Sequence, residues 1–115
     1  MAHWQTNIQE PYFTQLKIGR KTVGGRLDKG NFSAMKAGDT IAVHREPQNN
    51  EVIEVEILEV VHYGRFFDML LIEGVGNVLP NILSVTEGIS VYRKFYTEAD
   101  EDRYGVVAIR VQLKK

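Results

Sequence analysis

The sequence contains no cysteine. That single absence excludes a disulfide framework, a zinc-finger ligand set and a thiol nucleophile together. Histidine occurs only as His3, His44 and His62, never as a pair at metal-ligand spacing, so no metal site is expected. Long apolar runs are missing as well. None approaches the ~20 residues that span a bilayer. The opening Met1-Ala2-His3-Trp4-Gln5 has no basic segment leading into an apolar one, so no signal peptide is expected and a cytoplasmic location is. An excess of positive charge is also absent. A net charge of -1 argues against a protein that coats duplex DNA by bulk electrostatics.

The common nucleotide and nucleophile motifs fail on inspection. Lys21-Thr22 ends like a phosphate-binding P-loop, but Arg20 stands where glycine must precede the lysine, and Gln15 where the first glycine belongs. Gly74-Val75-Gly76 lacks the third glycine of a dinucleotide loop, and no Gly-x-Ser-x-Gly elbow is present. No cofactor is therefore expected.

What the chain does have is an ordinary globular composition, with 43% hydrophobic and 25% charged residues in 115 positions. That length suits one domain over residues 1–115 with a core of its own. Charge is unevenly spread. Lys17, Arg20, Lys21, Arg26, Lys29 and Lys36 crowd the first third, and Glu46, Glu51, Glu54, Glu56 and Glu59 follow. A local basic face on a near-neutral protein suits a small anionic or nucleotide-sized target. Its densest part is Gly19-Arg20-Lys21-Thr22-Val23-Gly24-Gly25-Arg26. There, side chains supply charge and glycines let a ligand approach the backbone.

Hydrophobic spacing predicts the elements. Trp4 to Ile8 reads as a strand. Pro11 at a first helical position opens a helix that Gly19 closes. Lys21 to Leu27 is extended, Asp28 to Gly38 is loop with one helical turn near Phe32, and Thr40 to His44 is a strand. A turn at Pro47-Gln48-Asn49-Asn50 makes a hairpin with a strand in which Ile53, Val55 and Ile57 alternate with glutamates. A bulge is expected where that phase shifts, from Leu58 to Val61. Arg65 to Glu73 is a helix that Gly74-Val75-Gly76-Asn77 breaks. Ser84 and Glu87 form a capping box before a helix carrying Ile89, Tyr92, Phe95 and Tyr96. A short capped turn over Thr97 to Asp102 precedes a last strand, with Val107, Ile109, Val111 and Leu113 on one face. Closely spaced strands with short helices at their ends predict an α+β fold built as a small mixed barrel.

The residues Gly19-x-Lys21 and Arg26 resemble the signature Gly-x-Lys-x-x-Glu-x-Arg of the ASCH domain family. Trp4, Pro11-Tyr12-Phe13, Lys36-Ala37-Gly38-Asp39-Thr40-Ile41 and the tail from Val91 to Ile109 extend the likeness over nearly the whole chain. The resemblance implies a PUA-like β-barrel with helices flanking a cleft, lined by the motif, and RNA or a nucleoside as ligand. Lys21, Arg26 and Arg20 would contact phosphate or polar base edges, with Trp4 or Tyr92 as a stacking face. Some members are N4-acetylcytidine amidohydrolases. Their lysine falls on Lys21, their threonine on Gly24 and their glutamate on Glu87, so a small hydrolase acting on that nucleoside or on RNA is the alternative. Glycine at position 24 cannot be a nucleophile, which leaves Thr22, on the same strand face, as its stand-in. The resemblance sets no oligomeric state.

Overall fold

Gly19 sets the first change of direction. In the computed structural model, which describes residues 1–47 and 51–114, strand β1 (His3–Gln9) leads into helix α1 (Tyr12–Lys17). Gly19 then takes a φ of 84°, the left-handed conformation that ends helices. The N–H groups of Gly19 and Arg20 donate back to the carbonyls of Leu16 and Gln15 at 3.2 and 2.9 Å. Lys21 N–H also reaches the Gln15 carbonyl, at 3.0 Å, so the turn delivers Lys21 to the foot of strand β2 (Val23–Leu27). Pro11 lies just before α1, and the helix start is capped by Glu10, whose carboxylate accepts from Thr14 N–H at 2.9 Å. The chain continues through α2 (Asn31–Ala34), β3 (Thr40–Glu46), β4 (Val52–Tyr63), α3 (Phe66–Glu73), α4 (Val75–Val78), α5 (Val85–Arg93), α6 (Glu98–Tyr104) and β5 (Val106–Leu113). The turn expected at Pro47-Gln48-Asn49-Asn50 falls mostly on residues 48–50, outside the described residues.

All five strands form one mixed sheet in the order β1-β3-β4-β5-β2. The β1–β3 pair is parallel and the other pairs are antiparallel. The sheet curls into a half-barrel and leaves β1 and β2 as its two edges. The expected bulge is where β4 slips against β5 between Ile57 and Glu59, leaving Leu58 pushed outward. That extra residue sharpens the local twist and helps the sheet to curl.

Two apolar clusters stabilise the fold. One fills the inside of the curl, with Phe13, Leu16, Ile41, Val43, Val55, Ile57, Val107, Ile109 and Val111. The other lies between the sheet and the helices, with Val23, Leu27, Phe66, Met69, Leu70, Val78, Tyr92, Val106 and Ala108. β5 feeds both, so Val106 to Ile109 is buried on both faces. The sequence reading gave that strand a single apolar face. A strand between two layers carries a near-continuous apolar run instead.

Other differences are local. Gly74 ends α3 with a φ of 93°, but the chain then winds one more turn as α4 where a plain break was expected. At Ser84, Oγ accepts from Glu87 N–H at 3.2 Å, yet the Glu87 carboxylate makes no return bond among the described residues. The full reciprocal box belongs to Thr97 and Asp100, with bonds of 3.1 and 3.4 Å. The buried carboxylate of Glu101 caps α3 by accepting from Phe66 N–H at 2.6 Å and pairs with Arg93 at 2.6 Å. No helix of the described residues is long and apolar enough to cross a membrane.

Adjacent glycines on β2 play opposite parts. A Cβ at Gly25 would stand 2.5 Å from the Tyr92 hydroxyl and 2.8 Å from Met69 Cε, whereas a Cβ at Gly24 meets nothing within 4 Å. Gly25→Ala should therefore lower stability by about 1–3 kcal/mol through overpacking. Gly24→Ala should leave it within about 1 kcal/mol of wild type. Chemical denaturation of the two variants side by side checks this.

Candidate functional site

The two free edges of the sheet border a cavity of about 240 Å³. From the β2 side come Lys21 and Arg26, with Tyr12 of α1 beside them. From the β1–β3 side come Asn7, Ile8, Gln9 and Glu46. Gln9 and Glu46 are register partners on neighbouring strands, so they emerge next to each other. The end of α5 and the residues after it add Tyr92, Phe95 and Tyr96. A smaller cavity of about 50 Å³ lies inside the curl of the sheet, lined by Gly24 and apolar core side chains. The two share Ile8, Lys21 and Arg26.

Lys21 is the unusual group. Its residue is only 5% exposed, although lysine is almost never fully buried without a partner. Nζ donates to the carbonyl of Val23 at 2.8 Å and also to that of Val78 on α4. The Tyr12 ring lies beside it, its centroid 5.7 Å away. Burial, and after it the charge of Arg26, pushes the amine down to about 7. An ammonium has three donors, so one remains for a ligand. Once neutral, the amine keeps its two N–H bonds to the carbonyls and turns its lone pair to that third direction. An imine would keep at most one N–H and would orphan a buried carbonyl. The geometry therefore suits proton transfer and hydrogen bonding at Nζ, not covalent attachment.

Arg26 is half-buried. Nη1 donates to the Gly25 carbonyl at 3.1 Å, and the guanidinium lies 5.3 Å from the centre of the Phe32 ring. Among the described residues it has no carboxylate partner, so its other N–H groups are unspent. Tyr92 is 6% exposed, and its ring stacks on Phe66 with centroids 4.2 Å apart. Its hydroxyl sits against the Gly25 backbone, and burial pushes the phenol up. Its ring face is thus occupied. Phe95, 52% exposed at the cavity, offers the open aromatic face.

Of the residues singled out in the sequence, the fold brings together Lys21, Arg26 and Tyr92. Trp4, Arg20, Thr22 and Glu87 lie outside the cavity. Trp4 donates its indole N–H to Asp39 at 2.9 Å and packs on the inner core. That bond is the leading cause holding the Asp39 carboxyl below its ordinary value. Arg20 and Glu87 are exposed. Thr22 is exposed too and faces a separate recess beside Glu73 and Arg110. Tyr12 and Tyr96, which as aromatics could offer a stacking surface, also line the cavity, whereas Glu46 and Phe95 are lining residues that the sequence reading did not place in a site. The helical spacing of Tyr92, Phe95 and Tyr96 was a signal, but an amphipathic helix explains it equally well. For Glu46 there was none, because it sits in an acidic run. No cluster of described residues could hold a metal ion.

The ASCH domain family model matches residues 7–115. The crystal structure of hypothetical protein PH0355 is 38% identical, with a TM-score of 0.87, covering 97% of this chain and 99% of that one. The solution structure of protein PF0455 from Pyrococcus furiosus is 35% identical, with a TM-score of 0.78 and 98% of each chain covered. An ASCH domain from Lactobacillus crispatus JV V101 is 14% identical, with a TM-score of 0.61, over 97% of this chain and 79% of that one. It shares the PUA-like fold. No curated protein matches.

The buried amine makes a direct prediction. A lysine titration followed by NMR at the ε-carbon should find Lys21 with a midpoint of about 7, far below an ordinary lysine. Arg26→Gln removes a like charge that disfavours protonation, so it should move that midpoint upward. A Lys21 midpoint near 10 would show that the amine is solvated.

Proposed function

The chain belongs to the ASCH domain family, and from that premise we propose that it binds single-stranded RNA or a modified nucleoside, drawing one nucleotide into the cavity between β1 and β2. The observation that carries this reading is the pair of cations, Lys21 and Arg26, held in a cavity with aromatic side chains and without an ion-pair partner among the described residues. Arg26 has free N–H groups for a phosphate, and Lys21 has one remaining donor. Phe95 offers a face on which any base can stack. Tyr92 acts through the wall, holding Gly25 and hence β2 in place. A volume of about 240 Å³ suits one nucleotide-sized group. On this reading the protein works in the cytoplasm, where such RNA is met.

Fluorescence anisotropy with a short single-stranded RNA at low salt tests it. Lys21→Met and Arg26→Gln should each weaken binding about tenfold, an amount typical of a charged hydrogen bond lost. Phe95→Ala should weaken it about five- to a hundredfold, the range measured for single stacking contacts. Affinity unchanged in all three variants would overturn the reading.

A second reading is hydrolysis of an N-acyl nucleoside such as N4-acetylcytidine. Two features favour it: the Lys21 amine, which burial pushes down to about 7 so that part of it is neutral, and the open space at Gly24. Neutral Lys21 would accept a proton from the attacking water. Thr22 and Glu87 lie outside the cavity, so they take no part as placed. Gly24→Thr would set a hydroxyl in the open space beside Lys21. On incubation with N4-acetylcytidine, cytidine release should rise in Gly24→Thr and vanish in Lys21→Met. No release from either wild type or Gly24→Thr would leave binding as the whole activity.

A further inference from the structure

The two sides of the cavity are chemically opposite. On the β2 side every polar side chain is a cation or a hydroxyl: Lys21, Arg26 and Tyr12. On the β1–β3 side the one charge is negative, Glu46, flanked by the amides of Asn7 and Gln9. Glu46 is half-buried and its carboxylate has no hydrogen bond or ion pair among the described residues. A partly desolvated acceptor without a partner is costly unless a ligand supplies the donor. It is also ill placed for an anion, since a phosphate on that side would meet like charge. The Arg26 side is therefore the anion end, and the Glu46 side receives the part of the ligand that donates hydrogen bonds.

We propose that Glu46 determines base specificity at this cavity by accepting from an exocyclic amino group, so that the site takes amino-bearing bases and rejects uracil. The proposal rests on the RNA- or nucleoside-binding reading above. Its chemistry is the contrast between cytosine and uracil. At the same ring position cytosine presents an N–H₂ donor and uracil a carbonyl acceptor. A carboxylate has acceptor oxygens only, so it bonds the first and repels the second. Gln9, the register partner of Glu46, stands beside the carboxylate with an amide that can both donate and accept. The neighbouring ring atom of either base finds a partner there. Phe95 would fix the plane of the base and Arg26 its phosphate. The selection is then made at one edge.

Hexamers of ribocytidine and ribouridine carry the same phosphates and sugars, so their affinity ratio isolates the base. Wild type should bind the cytidine hexamer about tenfold or more tightly than the uridine hexamer, as one well-placed base contact allows. Glu46→Gln keeps the shape and adds an amide donor for the uracil carbonyl. It should weaken cytidine binding, strengthen uridine binding and bring the ratio close to one. A wild-type ratio near one, a preference for uridine, or a ratio that Glu46→Gln leaves in place would each overturn the role of Glu46 while binding itself stands. If neither hexamer binds wild type better than Lys21→Met, the RNA-binding reading falls and this inference falls with it.

Discussion

A buried primary amine joins two parts of this protein that the sheet does not connect. Lys21 Nζ donates to the Val23 carbonyl on β2 and to the Val78 carbonyl on α4. Those carbonyls would otherwise lie unsatisfied at a buried junction, so the amine holds the edge of the sheet to the helical layer. The surrounding features serve that position. Gly19 turns the chain out of α1 so that Lys21 meets the foot of β2. Gly25 has no side chain, which lets the Tyr92 hydroxyl and Met69 close over the strand. Tyr92 is in turn fixed by stacking on Phe66, whose own N–H is capped by Glu101.

The cavity follows from a sheet that curls without closing. β1 pairs only with β3, and β2 only with β5, so the two edges are left facing a gap. A closed barrel would have filled that gap with a strand-to-strand ladder. Here it is filled by side chains from both edges and from the end of α5. The opposition of charge across the cavity is a consequence of which strands end there. The basic run of the sequence supplies β2, and the start of the acidic run supplies the end of β3.

Features with a local cause were legible in the sequence. The alternation of Ile53, Val55 and Ile57 with glutamates gave β4, and the phase shift after Ile57 gave its bulge. Gly19 and Thr97 marked helix ends through backbone and capping preferences that act over a few residues. The Lys21–Arg26 cluster also stood out, because cations and glycines were adjacent in the chain. What stayed hidden depends on contacts between distant segments. Glu46 reaches the cavity only because β3 runs parallel to β1. Phe95 stands open, while Tyr92 three residues earlier is enclosed, because Phe66 packs on one and not the other. Trp4 looked available among polar neighbours, yet Asp39, distant in sequence, takes its N–H. The fold class, by contrast, needs only the order and spacing of elements, and that order was readable.

The outer rim of β2 is satisfied by the protein's own side chains: Lys21 on the Val23 carbonyl, Arg26 on the Gly25 carbonyl, and the Tyr92 hydroxyl against the Gly25 backbone. An unprotected strand edge is a template for another chain, and natural proteins block such edges with charged side chains. The residues that face the ligand are thus also the ones that keep this edge from recruiting a neighbour. Losing Lys21 does more than remove a cation from a pocket: it leaves the Val23 and Val78 carbonyls without their donor at the buried junction of β2 and α4. Recognition and stability are therefore coupled at this position, and selection for a stable fold alone would preserve part of the site.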